Sequence, residues 1–227
     1  MLRTRFPEHY FIANFIKDGD VSIDLGANLG YYTVPLSRMV GESGKVYSVE
    51  PVSMFVSVLR RNLKFTPYNN VEIIQNALGE EEGAEVTMGI TVEQGVLRHG
   101  LTKVLENPPG DSNYRTYLVT VRKPQNIFGN LPRLDFIKCD VEGYEIHIMP
   151  EFHDILQKYK PLVQIEIGPL ENRKKLFALF SKLGYKAFNL VGNKLEYIAT
   201  AEAPVNGDYY FIHNEAIKNH SNIITFF

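Results

Sequence analysis

The stretch Val21-Ser22-Ile23-Asp24-Leu25-Gly26-Ala27-Asn28-Leu29-Gly30 sets a strand-forming run directly before a glycine turn and a helical pattern. That order confines the chain to folds in which a parallel strand feeds a helix through a turn facing a ligand. Gly26 and Gly30 lack a Cβ, so the backbone can pass close to a ligand and the helix can approach the strand. A pyrophosphate cofactor favours the G-x-G-x-x-G spacing, but here Asp24 stands where the first glycine belongs and Gly30 falls one residue late. A carboxylate at the mouth of the turn repels a pyrophosphate, yet it can hold, directly or through water, the ammonium of an amino-acid-bearing nucleoside. S-adenosylmethionine is such a ligand, and Asp24, Gly26, Ala27, Asn28 and Gly30 are the residues expected around it. The bland alternative is a plain tight turn in an α/β protein.

Strand-like and helix-like segments alternate along most of the chain, the pattern of a doubly wound, mostly parallel sheet covered on both faces. Helical spacing is expected over residues 7–17, 28–39, 51–66 and 171–183, and over 144–159 with Pro150 breaking or restarting the helix. Strands are expected at 21–25, 45–50, 71–78, 134–140 and 162–167. Closely spaced strands at 187–191, 195–199 and 209–213 predict an antiparallel finish to the sheet. Between Gly79 and Leu131 the pattern is interrupted by polar, Gly-rich sequence with alternating character at 85–88 and 117–121. Residues 80–131 read as an inserted hairpin, either an acceptor-binding lid or a surface feature.

At 227 residues the chain suits one domain, 1–227, with an N-terminal helix in 1–19. Its 44% hydrophobic and 22% charged residues are those of an ordinary globular protein. No apolar run approaches the length of a membrane span, and Pro7, Glu8 and His9 fall where a secretory signal needs an apolar core. The one cysteine, Cys139, suits a packed core position and a reducing cytoplasm. A net charge of -2 disfavours nucleic acid as partner. The clusters Arg60-Arg61 and Arg173-Lys174-Lys175 read as solvated helix faces.

Glu50 ends the second strand 20 residues after Gly30, where an acid can accept both ribose hydroxyls of a nucleoside. Asn76 and Ala77, near the end of the third strand, are placed to read the adenine edge. Lys138, Asp140, Glu142 and Glu145 bunch charge at the end of a strand otherwise built for burial, which is costly without a partner or a task. By alternation Lys138 could pair with one carboxylate while another faces the reacting centre. Glu145 is expected to support the helix beginning near Tyr144.

The four segments Asp24-Leu-Gly-Ala-Asn-Leu-Gly30, Glu50-Pro51, Asn76-Ala77-Leu78-Gly79 and Lys138-Cys-Asp140-Val-Glu142-Gly-Tyr-Glu145, in that order, resemble the FkbM-type methyltransferases, and the last is the most diagnostic. The resemblance covers roughly residues 20–167. It implies a Rossmann-like, class I methyltransferase fold with a seven-stranded sheet, S-adenosylmethionine as donor, and O-methylation of a sugar or other hydroxyl-bearing small molecule. Methyl transfer then requires alignment of the acceptor, exclusion of water and removal of a proton. Asp140, Glu142 and Lys138 are the catalytic candidates. Asp140 with Glu166 could supply oxygen ligands to Mg²⁺, although no metal is expected. The rivals are a dinucleotide-dependent oxidoreductase, which the spacing disfavours, a non-catalytic nucleoside sensor, and a nucleic-acid methyltransferase. An oligomer is compatible with all of these.

Overall fold

The computed structural model describes residues 8–105, 113–203 and 207–226. Its centre is a nine-stranded sheet. In chain order the strands of the molecule are β1 (Val21–Leu25), β2 (Lys45–Val49), β3 (Val71–Ile74), β4 (Ala77–Leu78), β5 (Glu85–Glu93), β6 (Val96–Leu105), β7 (Tyr114–Arg122), β8 (Phe136–Cys139), β9 (Leu162–Ile165), β10 (Tyr185–Val191), β11 (Lys194–Ile198), β12 (Tyr209–His213) and β13 (Ile224–Thr225). The sheet runs β13-β11-β10-β12-β9-β8-β1-β2-β3. Strands β3, β2, β1, β8 and β9 are mutually parallel, and β12 runs antiparallel to both β9 and β10. The expected antiparallel finish is present, but two strands lengthen the expected seven. Gly192, at φ 60°, turns β11 back onto β10, and β13 then adds to the outer edge of β11.

Strands β1, β8 and β9 are buried along their whole length, as parallel strands covered by helices on both faces must be. Strand alternation sorts their side chains into two layers. Ile23, Leu25, Ile137, Cys139, Val163 and Ile165 pack with Phe152, Leu176 and Phe180 on one face. Phe136, Leu162, Tyr210 and Ile212 pack on the other, with Leu36 and the N-terminal residues Phe11, Ile12, Phe15 and Ile16. Cys139 is a core residue, and burial pushes its thiol well above the ordinary range.

A polar row crosses this second face. Ser48, Asp24, Lys138, Gln164 and Tyr210 are register partners on five neighbouring strands, all less than 3% exposed. Polar side chains so deep need partners, and those partners build the site described below.

Other expectations change as well, among them the helix expected over 28–39, which begins only at Thr33 after the turn. The N-terminal helix spans only Glu8–Phe11 before tightening into a 3₁₀ turn at Ile12–Asn14. Ile12 O there accepts the N–H groups of both Phe15 and Ile16, and residues 1–7 of the expected helix lie outside the described residues. The third strand leaves the main sheet after Ile74, so that Ala77–Leu78 pairs with β7 instead. The insertion is a four-stranded sheet, β4-β7-β5-β6, in place of a hairpin. Pro150 lies inside the helix Glu145–Glu151, and a second helix, His153–Tyr159, follows after Phe152. No helix among the described residues is long and apolar enough to cross a membrane.

Candidate active site

A cavity of about 710 Å³ opens at the C-terminal ends of β1, β2, β8 and β9, roofed by the inserted sheet. This is where ligands sit on open α/β sheets, because the strand order reverses there. Every site residue expected from the sequence lines it except Gly30. Gly30, at φ +92°, is a packing glycine, since a Cβ there would come within 2.6 Å of Leu59 Cδ1.

The turn after β1 is held by its own amides. Gly26 and Ala27 donate to Val49 O at 3.1 and 3.0 Å, Gly30 donates to Ala27 O at 2.7 Å, and Asn28 donates to Glu50 Oε2 at 2.9 Å. A phosphate-binding loop keeps such N–H groups free for its anion, whereas here they are used within the protein. Asn28 takes a left-handed φ of 50°, which asparagine tolerates, and its side-chain amide reaches His99 O on β6 at 3.0 Å. The inserted sheet is thereby tied down over the turn.

Asp24 and Glu50 are 2% and 4% exposed. Asp24 Oδ2 accepts from Thr33 Oγ1 at 2.5 Å, and because that hydroxyl has a single proton, Thr33 must accept from Ser48 Oγ, 2.9 Å away. Burial pushes the Asp24 carboxyl up to about 6, against the pull of Thr33 and Lys138. Glu50 accepts from the Asn28 and Val52 N–H groups on its two oxygens. Burial nevertheless pushes it up to about 7, with Asp24 adding to the shift. Both carboxylates line the same cavity, and burial raises both. Asn76 also lines the cavity, although its Nδ2 is engaged by Thr120 O at 3.2 Å.

Next to Asp24 in the polar row, Lys138 is 1% exposed. It pairs with Asp208 Oδ2 at 3.0 Å and only more distantly with Asp140 Oδ2 at 3.7 Å. Burial alone would strip its charge, but Asp208 and Asp140 outweigh burial and hold the ammonium above the ordinary lysine range. Glu142, at a left-handed φ of 53°, is pushed up to about 7 by partial burial and by Asp140, Glu166 and Glu145. Burial and Asp140 likewise raise Glu166. Glu145 accepts the Val141 and Gly143 N–H groups, both at 3.1 Å, and so braces the turn before its helix, as expected. Asp140 and Glu166 both line the cavity, but among the described residues no three His, Cys, Asp or Glu side chains are placed to hold a metal together.

Reading the sequence missed Asp208, Gln164, Tyr32 and Thr33. Asp208 and Gln164 lie far in the chain from Tyr32, and the register of β8, β9 and β12 that brings them together leaves no local signal; Thr33, next to Tyr32, is joined instead to Asp24 and Ser48 on β1 and β2. His9 was passed over as well. It lies against Tyr32, with ring centroids 4.4 Å apart, and burial lowers its pKa.

Several known proteins share this architecture. An S-adenosylmethionine-dependent O-methyltransferase from Thermotoga maritima superposes with a TM-score of 0.51 at 16% identity, over 94% of this chain and 68% of the other. A methyltransferase FkbM from Methylobacillus flagellatus gives 0.50 at 18% identity, over 87% of this chain and 44% of that one. These likenesses establish a class I methyltransferase fold. In sequence, a protein-L-isoaspartate O-methyltransferase from Methanothrix thermoacetophila is 37% identical over 71 residues, which are 30% of this chain and 34% of the relative. The match thus spans about a third of that relative's length. The model of the methyltransferase FkbM domain matches residues 24–187, from the Asp24 turn through the charged motif at Lys138 and on to β10. The chain belongs to the FkbM methyltransferase family.

Proposed function

We propose that this protein transfers a methyl group from S-adenosylmethionine to a hydroxyl of a small acceptor, a sugar or similar polyol. The observation that carries the reading is the division of labour at the turn after β1. Its amides are used internally while Asp24 and Glu50 line the cavity as buried carboxylates. That donor set fits an ammonium and ribose hydroxyls and has nothing to offer a pyrophosphate.

Asp24 would hold the amino-acid end of the cofactor and Glu50 its ribose hydroxyls, through lone pairs left over after Asn28 and Val52. Asn76 and Ala77 would border the adenine. When bound, S-adenosylmethionine supplies an electrophilic methyl on a sulfonium. The chain itself aligns the acceptor hydroxyl, excludes water beneath the inserted sheet, and receives the proton on Asp140 or Glu142. A carboxyl near 7, as at Glu142, is suited to proton transfer at neutral pH.

The acceptor end of the wall supports an uncharged partner. Among the described residues that line the cavity Lys138 is the one Lys or Arg, and Asp208 already neutralises it, whereas Glu8, Asp140, Glu142 and Glu166 contribute negative charge. A phosphorylated or polyanionic acceptor would meet repulsion there.

Isothermal titration with S-adenosylmethionine, S-adenosylhomocysteine and NAD tests the donor site, and mass spectrometry of a panel of polyols, catechols and sugar phosphates tests the acceptor. Binding of the adenosyl ligands alone, followed by a mass gain of one methyl on a neutral polyol, is expected. Binding of NAD alone would overturn the reading in favour of dinucleotide chemistry. Adenosyl binding with no methyl gain on any hydroxylated compound would favour a sensor.

A further inference from the structure

Because β12 runs antiparallel to β9, its start reaches the edge of the sheet where β8 ends. Asp208, immediately before β12, is thereby carried to the cavity, two residues ahead of Tyr210. Tyr210 is the register partner of Gln164, as Gln164 is of Lys138. The result is a closed contact set. Lys138 Nζ lies 3.0 Å from Asp208 Oδ2, and Gln164 Nε2 donates to that same oxygen at 2.5 Å and to Tyr32 OH at 2.8 Å. The Tyr32 ring covers the ammonium at 4.9 Å from its centroid. Asp140 stands apart at 3.7 Å, beyond hydrogen-bond length, and its side chain is 36% exposed against 10% for Asp208.

An ammonium 1% exposed must have a close carboxylate. Without Asp208, Lys138 would turn to Asp140, the next carboxylate in reach, and a tight ion pair would engage the lone pairs that Asp140 now presents to the cavity. Among the described residues the other charged groups around this point are Glu142, Glu145 and Glu166, Asp24 as the register partner of Lys138 on β1, and Glu8 and His9.

We propose that Asp208 is a positioning residue of this active site: it takes up the Lys138 ammonium and so keeps the Asp140 carboxylate unlocked on the cavity, ready to receive an acceptor hydroxyl. The proposal rests on the reading of Asp140 as an acceptor-side group, and its test is independent of cofactor and acceptor.

The test is the side-chain nitrogen resonance of Lys138 in isotope-labelled protein, assigned by its loss in Lys138→Arg. A buried, carboxylate-bound ammonium exchanges its protons slowly and is visible. Asp208→Asn is expected to shift or broaden this signal, Asp208→Glu to restore it in large part, and Asp140→Asn to leave it nearly unchanged. A signal that follows Asp140→Asn and ignores Asp208→Asn overturns the proposal, as does an ammonium in the folded wild type that exchanges too fast to be seen. With an acceptor that the wild type methylates, Asp208→Asn should lower kcat roughly tenfold or more while leaving adenosyl-ligand affinity intact. Failure of the wild type to bind S-adenosylmethionine would remove the proposed function and leave the resonance result standing.

Discussion

Replacing Asp24 with Asn should strengthen the fold and weaken the site at the same time. In the folded protein the Asp24 carboxyl is lifted from an ordinary 3.8 to about 6 by burial. Between those values the native state holds a proton that the unfolded chain has released, so this group's contribution to stability falls as pH rises through that window. Above it the native state carries the full cost of a buried charge, about 3 kcal/mol by the usual conversion, a large share of the 5–15 or so kcal/mol typical of a domain. Asn cannot ionise and keeps an oxygen for the bond from Thr33. Removing the Asp24 charge also eases the strain on Glu50, which that charge helps to raise. Urea unfolding of both proteins at about pH 4.5 and about pH 8 isolates the effect, because costs that do not depend on pH cancel in the comparison. Because the unfolded Asp24 has already released most of its proton at about pH 4.5, the variant is expected to gain about 2 kcal/mol on the wild type between the two conditions. Affinity for S-adenosylmethionine should fall at least tenfold over the same substitution. A stability gap unchanged with pH would refute the account of Asp24 as a buried, destabilising charge, and unchanged affinity would refute its assignment to the cofactor's ammonium.

Glu50→Gln should cost about 1–3 kcal/mol, because the Asn28 and Val52 N–H groups face separate oxygens and an amide can satisfy only one of them; chemical unfolding measures this, and titration should show weaker adenosyl binding. Gly26→Ala should cost several kcal/mol, given φ +78° and a Cβ placed 1.8 Å from Asp140 O. A variant that melts with the wild type would contradict that close approach. If Glu142 is the base, turnover should climb with pH through about 7 as its carboxyl loses its proton, and Glu142→Gln should flatten that limb of the pH profile. A profile identical in both proteins would transfer the role to Asp140.

The position in the fold of the residues proposed to hold the cofactor was legible because they sit in short contiguous runs. Asp24 to Gly30 and Glu50 each end a strand, so strand periodicity alone carried them to one edge of the sheet. Gly30 shows the limit of that logic, since a glycine that the backbone requires looks the same in sequence whether it faces a ligand or the Leu59 side chain. The surroundings of Lys138 and Asp140, proposed for the acceptor, were less legible because they are built from register. Lys138 was expected to pair with a neighbour in its own motif, yet its close partner is Asp208, 70 residues away. The inserted sheet was underread because the alternation of β6 is hidden by Arg98, His99 and Gly100 and by the irregular register between Ile90 and Val92. The C-terminal residues add to the sheet edge, where Phe226 packs on Phe188 and Tyr197. Phe227 lies outside the described residues.

The missing Cβ of Gly26 joins the two halves of this cavity. The space it leaves is filled by the Asp140 backbone carbonyl, with the Val141 side chain beside it, so the turn proposed for the donor and the strand end proposed for the acceptor meet first through main chain. Main-chain contacts do not drift with rotamers, and the spacing between the two partners of the reaction is therefore a property of the scaffold. The inserted sheet, by contrast, meets the cavity through side chains such as Val86, Met88 and Thr102. Evolution, or an engineer, can accordingly recut that wall for a new acceptor without disturbing the reaction distance, whereas a change at position 26 or 140 would have to be answered at the other.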